Sequence, residues 1–131
     1  MMPLHLDTLT PLEDLKRNPC AFREIFSEEK DFNVIFVKEI PEHNILIFEK
    51  RYNGIGEIAI VICVDDKVTK ITLKQLMNHY KKIVLSLPGR NFREVEPVVI
   101  AKEFDNDVLT MIERYNSSYE KRKPFRLFTY G

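Results

Sequence analysis

Two short polar segments carry residue types that can bind a metal ion or a phosphate group. The first, residues 41–44, reads Pro-Glu-His-Asn, and the second, residues 65–67, reads Asp-Asp-Lys. Carboxylate oxygens are the ligands that Mg²⁺ prefers, and such a site keeps several waters. A neighbouring lysine can stabilise charge that develops on a phosphate. These residue types are therefore suited to gripping or cutting a nucleic-acid strand.

A predicted hairpin brings the two segments together. Two runs rich in β-branched and aromatic residues, 45–52 and 57–64, flank Asn53-Gly54, a dipeptide that supplies the positive φ of a hairpin turn. The second run, EIAIVICV, is apolar on both faces, which predicts a strand in the interior of a sheet.

The position of the turn sets the expected register of this hairpin. A turn centred just after Gly54 places Asn44 opposite Asp65 and Glu42 opposite Lys67. The start of one strand and the end of the next then meet at the same end of the sheet. A simpler interpretation of Asp65 to Lys67 stays open, namely a solvated turn before a helix.

A basic helix is predicted directly after the hairpin. Thr69 or Thr72 can cap it, and Pro88-Gly89 ends it. Between Lys67 and Lys82 there are five lysines and no carboxylate: Lys67, Lys70, Lys74, Lys81 and Lys82. Such a helix can neutralise backbone phosphates.

The remaining segments predict one α/β domain over residues 1–131. A helix begins near Thr10 and is interrupted at Asn18-Pro19, while residues 1–9 are expected to form a loose arm. The other elements are strands at 32–40, 97–101 and 125–130 and a helix that begins at Asp105 or Asn106. The predicted order is αβββαβαβ, a mixed central sheet flanked by helices, with the last strand at a sheet edge.

This order resembles the PD-(D/E)XK, or restriction-endonuclease-like, nuclease superfamily over roughly residues 10–104. Pro41-Glu42 stands at the position of the proline–acid pair, and Asp65-Asp66-Lys67 matches the acid-x-lysine. Gln75, with Tyr80 nearby, is similar to the helical glutamine and tyrosine of RecB-like and archaeal mismatch-nuclease-like members. The resemblance implies a Mg²⁺ ion on Glu42 and Asp65, with Lys67 and Gln75 as further catalytic residues.

Two departures from the motif leave an alternative open. Asn44 occupies the place of a metal-binding aspartate in one alignment, and it cannot contribute negative charge. If the acid-x-lysine belongs inside the strand, Ile62-Cys63-Val64 stands there instead. The chain would then keep the fold without catalysis and serve as a structural subunit that pairs with itself or with a nuclease or repair protein.

The expected partner of the active or binding form is nucleic acid, DNA rather than RNA. The predicted phosphate contacts are basic residues in two segments: Lys67, Lys70, Lys74 and Lys82 near the helix, and Lys121, Arg122 and Lys123 before the last strand. The second group also fits an ordinary exposed turn.

The composition limits the other classes of function. Lys+Arg and Asp+Glu both number 20, so the net charge implies no acidic or basic partner. No phosphate loop, catalytic triad, cofactor motif or zinc-type Cys/His spacing is visible. Without an apolar leader or a span of about 20 residues, the chain is expected to be cytoplasmic, with Cys20 and Cys63 as free thiols. Sparse glycine and abundant Lys, Glu and Ile are compatible with a thermophilic source.

Overall fold

The structure is a computed structural model that describes residues 2–7, 11–19, 22–26, 33–52, 55–89, 92–118 and 123–131. Its helices are α1 (Pro11–Arg17), α2 (Arg23–Phe26), α3 (Lys70–Ser86) and α4 (Asn106–Ser118), and a 3₁₀ turn covers Pro41–His43. Its strands are β1 (Leu4–Leu6), β2 (Asn33–Ile40), β3 (Ile45–Tyr52), β4 (Ile55–Val68), β5 (Val95–Phe104) and β6 (Arg126–Tyr130).

The strands form one mixed sheet in the order β1-β6-β5-β4-β3-β2. Strands β2, β3 and β4 are antiparallel neighbours. Strands β4, β5 and β6 run parallel, because the helices α3 and α4 return the chain to the same end of the sheet between them. The single α/β domain with a mixed sheet and flanking helices is confirmed.

Two apolar layers cover the sheet, one on each face. Helices α3 and α4 pack on one face, where Leu73, Tyr80 and Val108 are buried against isoleucines and valines of the sheet. Helices α1 and α2 supply Leu15 and Phe26 to the other face. Strand β4 contributes to both layers, so its prediction as an interior strand is confirmed.

Three sequence predictions about the chain path were wrong. Residues Leu4–Leu6 form strand β1 beside β6 instead of a loose arm, which adds a strand to the predicted order. Strand β6 therefore lies between β1 and β5, and the two edges of the sheet are β1 and β2. Strand β4 continues to Val68, so Asp65 to Lys67 belong to a strand and not to a turn.

A buried cluster of charges lies under α2, on the face that α1 and α2 cover. The Nζ atom of Lys50 donates to a carboxylate oxygen of Glu96, and both residues are 6% exposed. Lys50 Nζ also donates to Phe26 O at 3.0 Å, and Arg126 Nη1 donates to Ile25 O at 2.7 Å and to Glu96 Oε1 at 3.2 Å. The two cations thus satisfy carbonyls at the end of α2, and Glu96 together with Glu57, whose Oε2 lies 3.5 Å from Lys50 Nζ, balances their charge.

Candidate functional site

The end of the β3–β4 hairpin brings the predicted polar segments together, but in a different register. Ile45 pairs with Ile62, and the backbone N–H of Cys63 donates to Asn44 O at 2.9 Å. Asn44 therefore lies beside Cys63, and the predicted pairing of Asn44 with Asp65 is wrong by two residues. The cause lies in the turn: Tyr52 pairs with Ile55, so the connection is two residues long. The residues of that turn, 53 and 54, lie outside the described part of the chain.

Asn44 has a backbone role at this position. It adopts the left-handed conformation, with φ 53° and ψ 45°, and its N–H donates to Pro41 O at 3.4 Å. Asparagine is one of the few residues that enter this region readily. Asn44 thereby ends the 3₁₀ turn and directs the chain into β3, which fixes the position of Glu42 and His43.

A cleft opens where this turn meets the end of β4 and the first half of α3. Its volume is about 240 Å³. The turn lines it with Glu42, His43 and Asn44, β4 lines it with residues 62–65, and α3 contributes Thr72, Gln75, Leu76 and His79. The cleft thus unites three residues that the sequence predicted for a site, namely Glu42, Asp65 and Gln75.

Helix α3 presents a polar stripe to the cleft beside its buried apolar stripe. Thr72, Gln75 and His79 recur three and four residues apart, a spacing that places them on one flank of a helix. Lys82, three residues after His79, continues this stripe. Its charge also contributes to a lowered pKa of His79. Lys70, Lys74 and Lys81 fall on the opposite flank by the same geometry.

The two histidines of the cleft stack on each other. The ring centroids of His43 and His79 are 3.7 Å apart, and the ring planes differ by 23°. His43 is exposed, and His79 is half-buried. Partial burial lowers the pKa of His79, and the neighbouring His43 and Lys82 lower it further. The ring of His79 is therefore uncharged at neutral pH.

The donor set is incomplete for a preformed metal site. Among the residues that the structure describes, no three His, Cys, Asp or Glu side chains are grouped so that they could hold a metal ion. Glu42 and Asp65 are the two acidic residues among those that line the cleft, together with Asn44. Mg²⁺ can bind through one or two carboxylates when substrate phosphates complete its shell, but the side chains alone do not fit a resident ion.

Two of the lysines that were predicted to contact phosphate pair instead with acidic residues at the start of α4. Lys67 Nζ lies 3.0 Å from Asp105 Oδ1, and Lys70 Nζ lies 3.5 Å from Asp107 Oδ2. The hydrogen bond that Lys67 donates to Asp105 is the main cause of a raised pKa of Lys67. The cleft lining therefore lacks the lysine that the acid-x-lysine pattern implied, although Lys67 stands only two residues from Asp65.

Lys123, the described member of the second predicted basic group, is far from the cleft. Lys123 Nζ donates to Glu57 Oε2 at 2.7 Å, near the start of β4. Glu57 and Asp65 are eight residues apart on β4, or about 26 Å at the rise of a strand. Lys121 and Arg122 lie outside the described residues. Lys123 therefore does not share a surface around the cleft with the lysines of α3.

Burial controls the chemistry of Cys63 at the base of the cleft. The thiol is free and buried, and desolvation together with the nearby Asp65 raises its pKa to about 12. The Tyr130 hydroxyl donates to the backbone O of Asp65 at 3.4 Å, from the side of β6. Cys63 is therefore a protonated, apolar component of the site and not a nucleophile.

Sequence reasoning missed the polar stripe and the histidine pair. The spacing of Thr72, Gln75, His79 and Lys82 is visible in the sequence, so the stripe could have been found by a helical projection. The contact between His43 and His79 joins two elements that are distant in the chain, and no local pattern indicates it.

Comparison with known proteins supports the fold. The chain is similar to the solved structure of EndoMS in its apo form, with a TM-score of 0.53 and 14% sequence identity. The similarity covers 94% of this chain and 46% of the EndoMS chain, so this chain spans less than half the length of EndoMS. At this identity the likeness concerns the fold alone: the predicted α/β domain with a mixed central sheet is similar in fold to EndoMS. No protein-family model and no curated sequence matches the chain.

Crossing a bilayer needs a helix longer and more apolar than any that the structure describes in this chain.

Proposed function

We propose that this chain binds nucleic acid, with a DNA strand held across the cleft at the end of the β3–β4 hairpin. The observation that carries the proposal is the cleft itself, where the polar stripe of α3 faces the 3₁₀ turn and the end of β4. The similarity of the fold to that of the nuclease EndoMS supports the same conclusion.

The charges of the cleft suggest how a strand would lie. Glu42 and Asp65 make the interior of the cleft unfavourable for phosphate, because like charges repel at short range. Lys82 stands at the far end of the polar stripe, on the cleft side of α3. The phosphates of the strand therefore follow the Lys82 side, and the bases face the cleft.

The test is fluorescence anisotropy with labelled single-stranded and duplex DNA and the matching RNAs, at about 50 and about 200 mM salt. We expect Lys82→Ala to weaken binding several-fold at low salt and to reduce the slope of log K against log salt by about 0.7–0.9, because one phosphate contact is lost.

The matched control is Lys81→Ala. Lys81 is the adjacent residue of the same helix, carries the same charge and is exposed, but it lies on the other flank. Equal effects of the two substitutions would contradict a binding site in the cleft. No binding to any of the four nucleic acids would overturn the proposal and favour the alternative of an interaction subunit.

Metal-dependent cleavage is the second candidate, because Glu42 and Asp65 line the same cleft. A Mg²⁺ shell would need both carboxylates and the phosphates of a bound strand, since the side chains alone do not form a metal site. The same samples, incubated with Mg²⁺ or Mn²⁺ and run on a gel, test it. Cleavage that is lost in Asp65→Asn would support a nuclease, and intact substrate would leave binding as the function.

A further inference from the structure

We propose that the stacked rings of His43 and His79 form a platform for the base of an unpaired nucleotide. This inference rests on the proposed function and adds the class of ligand that the cleft selects. Single-stranded nucleic acid is commonly bound by stacking its bases on aromatic side chains next to cationic groups.

The geometry of the pair provides the platform. Its ring centroids are 3.7 Å apart, closer than the 4.5–7 Å range that is typical of aromatic pairs, and its planes are nearly parallel. His79 is held on α3 and half-buried, whereas His43 sits on the 3₁₀ turn and is exposed. A base placed on His43 would extend the stack by one ring.

The polar groups around the pair match the edge and the phosphate of one nucleotide. Gln75 and Asn44 line the cleft, and their amides offer both donors and acceptors to the edge of a base. Lys82 lies one helical turn beyond His79, where a phosphate joined to that base can reach it. Glu42 and Asp65 are also among the lining residues, and their negative charge disfavours a phosphate close by while it tolerates an uncharged base.

The size of the cleft favours a single base. Its volume of about 240 Å³ is below the ~300–1,000 Å³ of pockets that take drug-sized ligands. In a duplex each base is already stacked between its neighbours, so only an unpaired or extruded base can offer its face to His43. The platform therefore predicts a preference for single strands over duplex DNA.

The experiment compares three labelled probes of equal length: oligothymidylate, a strand with the same backbone but abasic residues, and a blunt duplex. We expect the wild-type protein to bind oligothymidylate best. His43→Ala should weaken the binding of oligothymidylate on the order of tenfold and leave the binding of the abasic strand unchanged. His43→Phe should retain the affinity for oligothymidylate, because it keeps a stacking ring. Lys82→Ala should weaken the binding of both single-stranded probes.

His5→Ala is the matched control, because His5 is also an exposed histidine but belongs to β1 at the opposite edge of the sheet. If the protein binds oligothymidylate and the abasic strand equally and His43→Ala changes neither, the platform is refuted while nucleic-acid binding stands. If it binds none of the probes, both proposals fail. If His43→Phe behaves like His43→Ala, stacking is not the function of the ring.

Discussion

At the scale of single residues, the site joins groups whose local surroundings decide their chemistry. Asn44 adopts the left-handed backbone conformation, Lys67 is paired with Asp105, and the thiol of Cys63 is buried. Of these three residues, the sequence suggested a catalytic role for Lys67, whereas the surroundings show that Lys67 pairs with Asp105 and that Cys63 stays protonated. Residue type alone therefore overstates the reactivity of this cleft.

The buried thiol of Cys63 predicts a loss of stability at alkaline pH. Its folded pKa of about 12 lies above the ordinary value of 9.0, so the unfolded chain releases this proton first as the pH rises. The contribution is fully present below about pH 9 and is lost between about pH 9 and pH 12, by about 1.4 kcal/mol per pH unit. Urea unfolding at about pH 8 and pH 10 measures it.

Cys63→Ala serves as the comparison, because it removes the titrating group and leaves the other ionisable groups in place. We expect the free energy of unfolding to fall less steeply with pH in the variant than in the wild type. The same slope in both proteins would show that the thiol does not titrate differently in the folded and unfolded chains.

At the scale of elements, the short helix α2 is predicted to depend on the buried charges beneath it. Lys50→Met removes a donor to Phe26 O and leaves Glu96 buried with one fewer cation. Breaking a buried ion pair from one side costs about 3–5 kcal/mol. Urea unfolding should show a loss of this order, and amide hydrogen exchange should increase in α2.

Lys38→Met is the matched substitution, since Lys38 is exposed on edge strand β2. A surface change of this kind is expected to stay within about 0.5 kcal/mol. A similar cost for both substitutions would mean that the buried cluster contributes little to the attachment of α2.

The elements also show how far the sequence could lead. Strand β3 and helix α3 were predicted close to their observed bounds, because long periodic patterns and a capping threonine define them. The side chain of Thr69 accepts from Thr72 N at 3.3 Å, as a helix cap does. Strand β1 has only three residues and becomes a strand only beside β6, so no local pattern could predict it. The predicted register of the hairpin was wrong because the turn was centred one residue too late. Asn44 was therefore paired with Asp65 instead of Cys63.

At the scale of the whole molecule, β1 closes one edge of the sheet. Leu6 is 3% exposed and packs in the layer under α1 and α2, whereas Leu4 is 57% exposed. We expect Leu6→Ala to lower the free energy of unfolding by about 2–3 kcal/mol, because a buried leucine loses its contacts. Leu4→Ala, in the same strand, should change it by less than about 0.5 kcal/mol. Thermal or urea unfolding of the two variants measures the difference, and equal values would contradict the docking of β1.

The buried charges carry a consequence for how the strands find their partners. The central strand β4 is apolar on both faces, so sliding it by two residues would still bury apolar side chains on each side. Lys50 meets Glu57 across β3 and β4, while Glu96 and Arg126 meet from β5 and β6, and these encounters exist only in the native alignment. A slipped sheet would leave charges buried without an opposite partner, which is costly. The buried charges thus specify the native strand register, because the burial of apolar side chains alone would also permit the shifted registers.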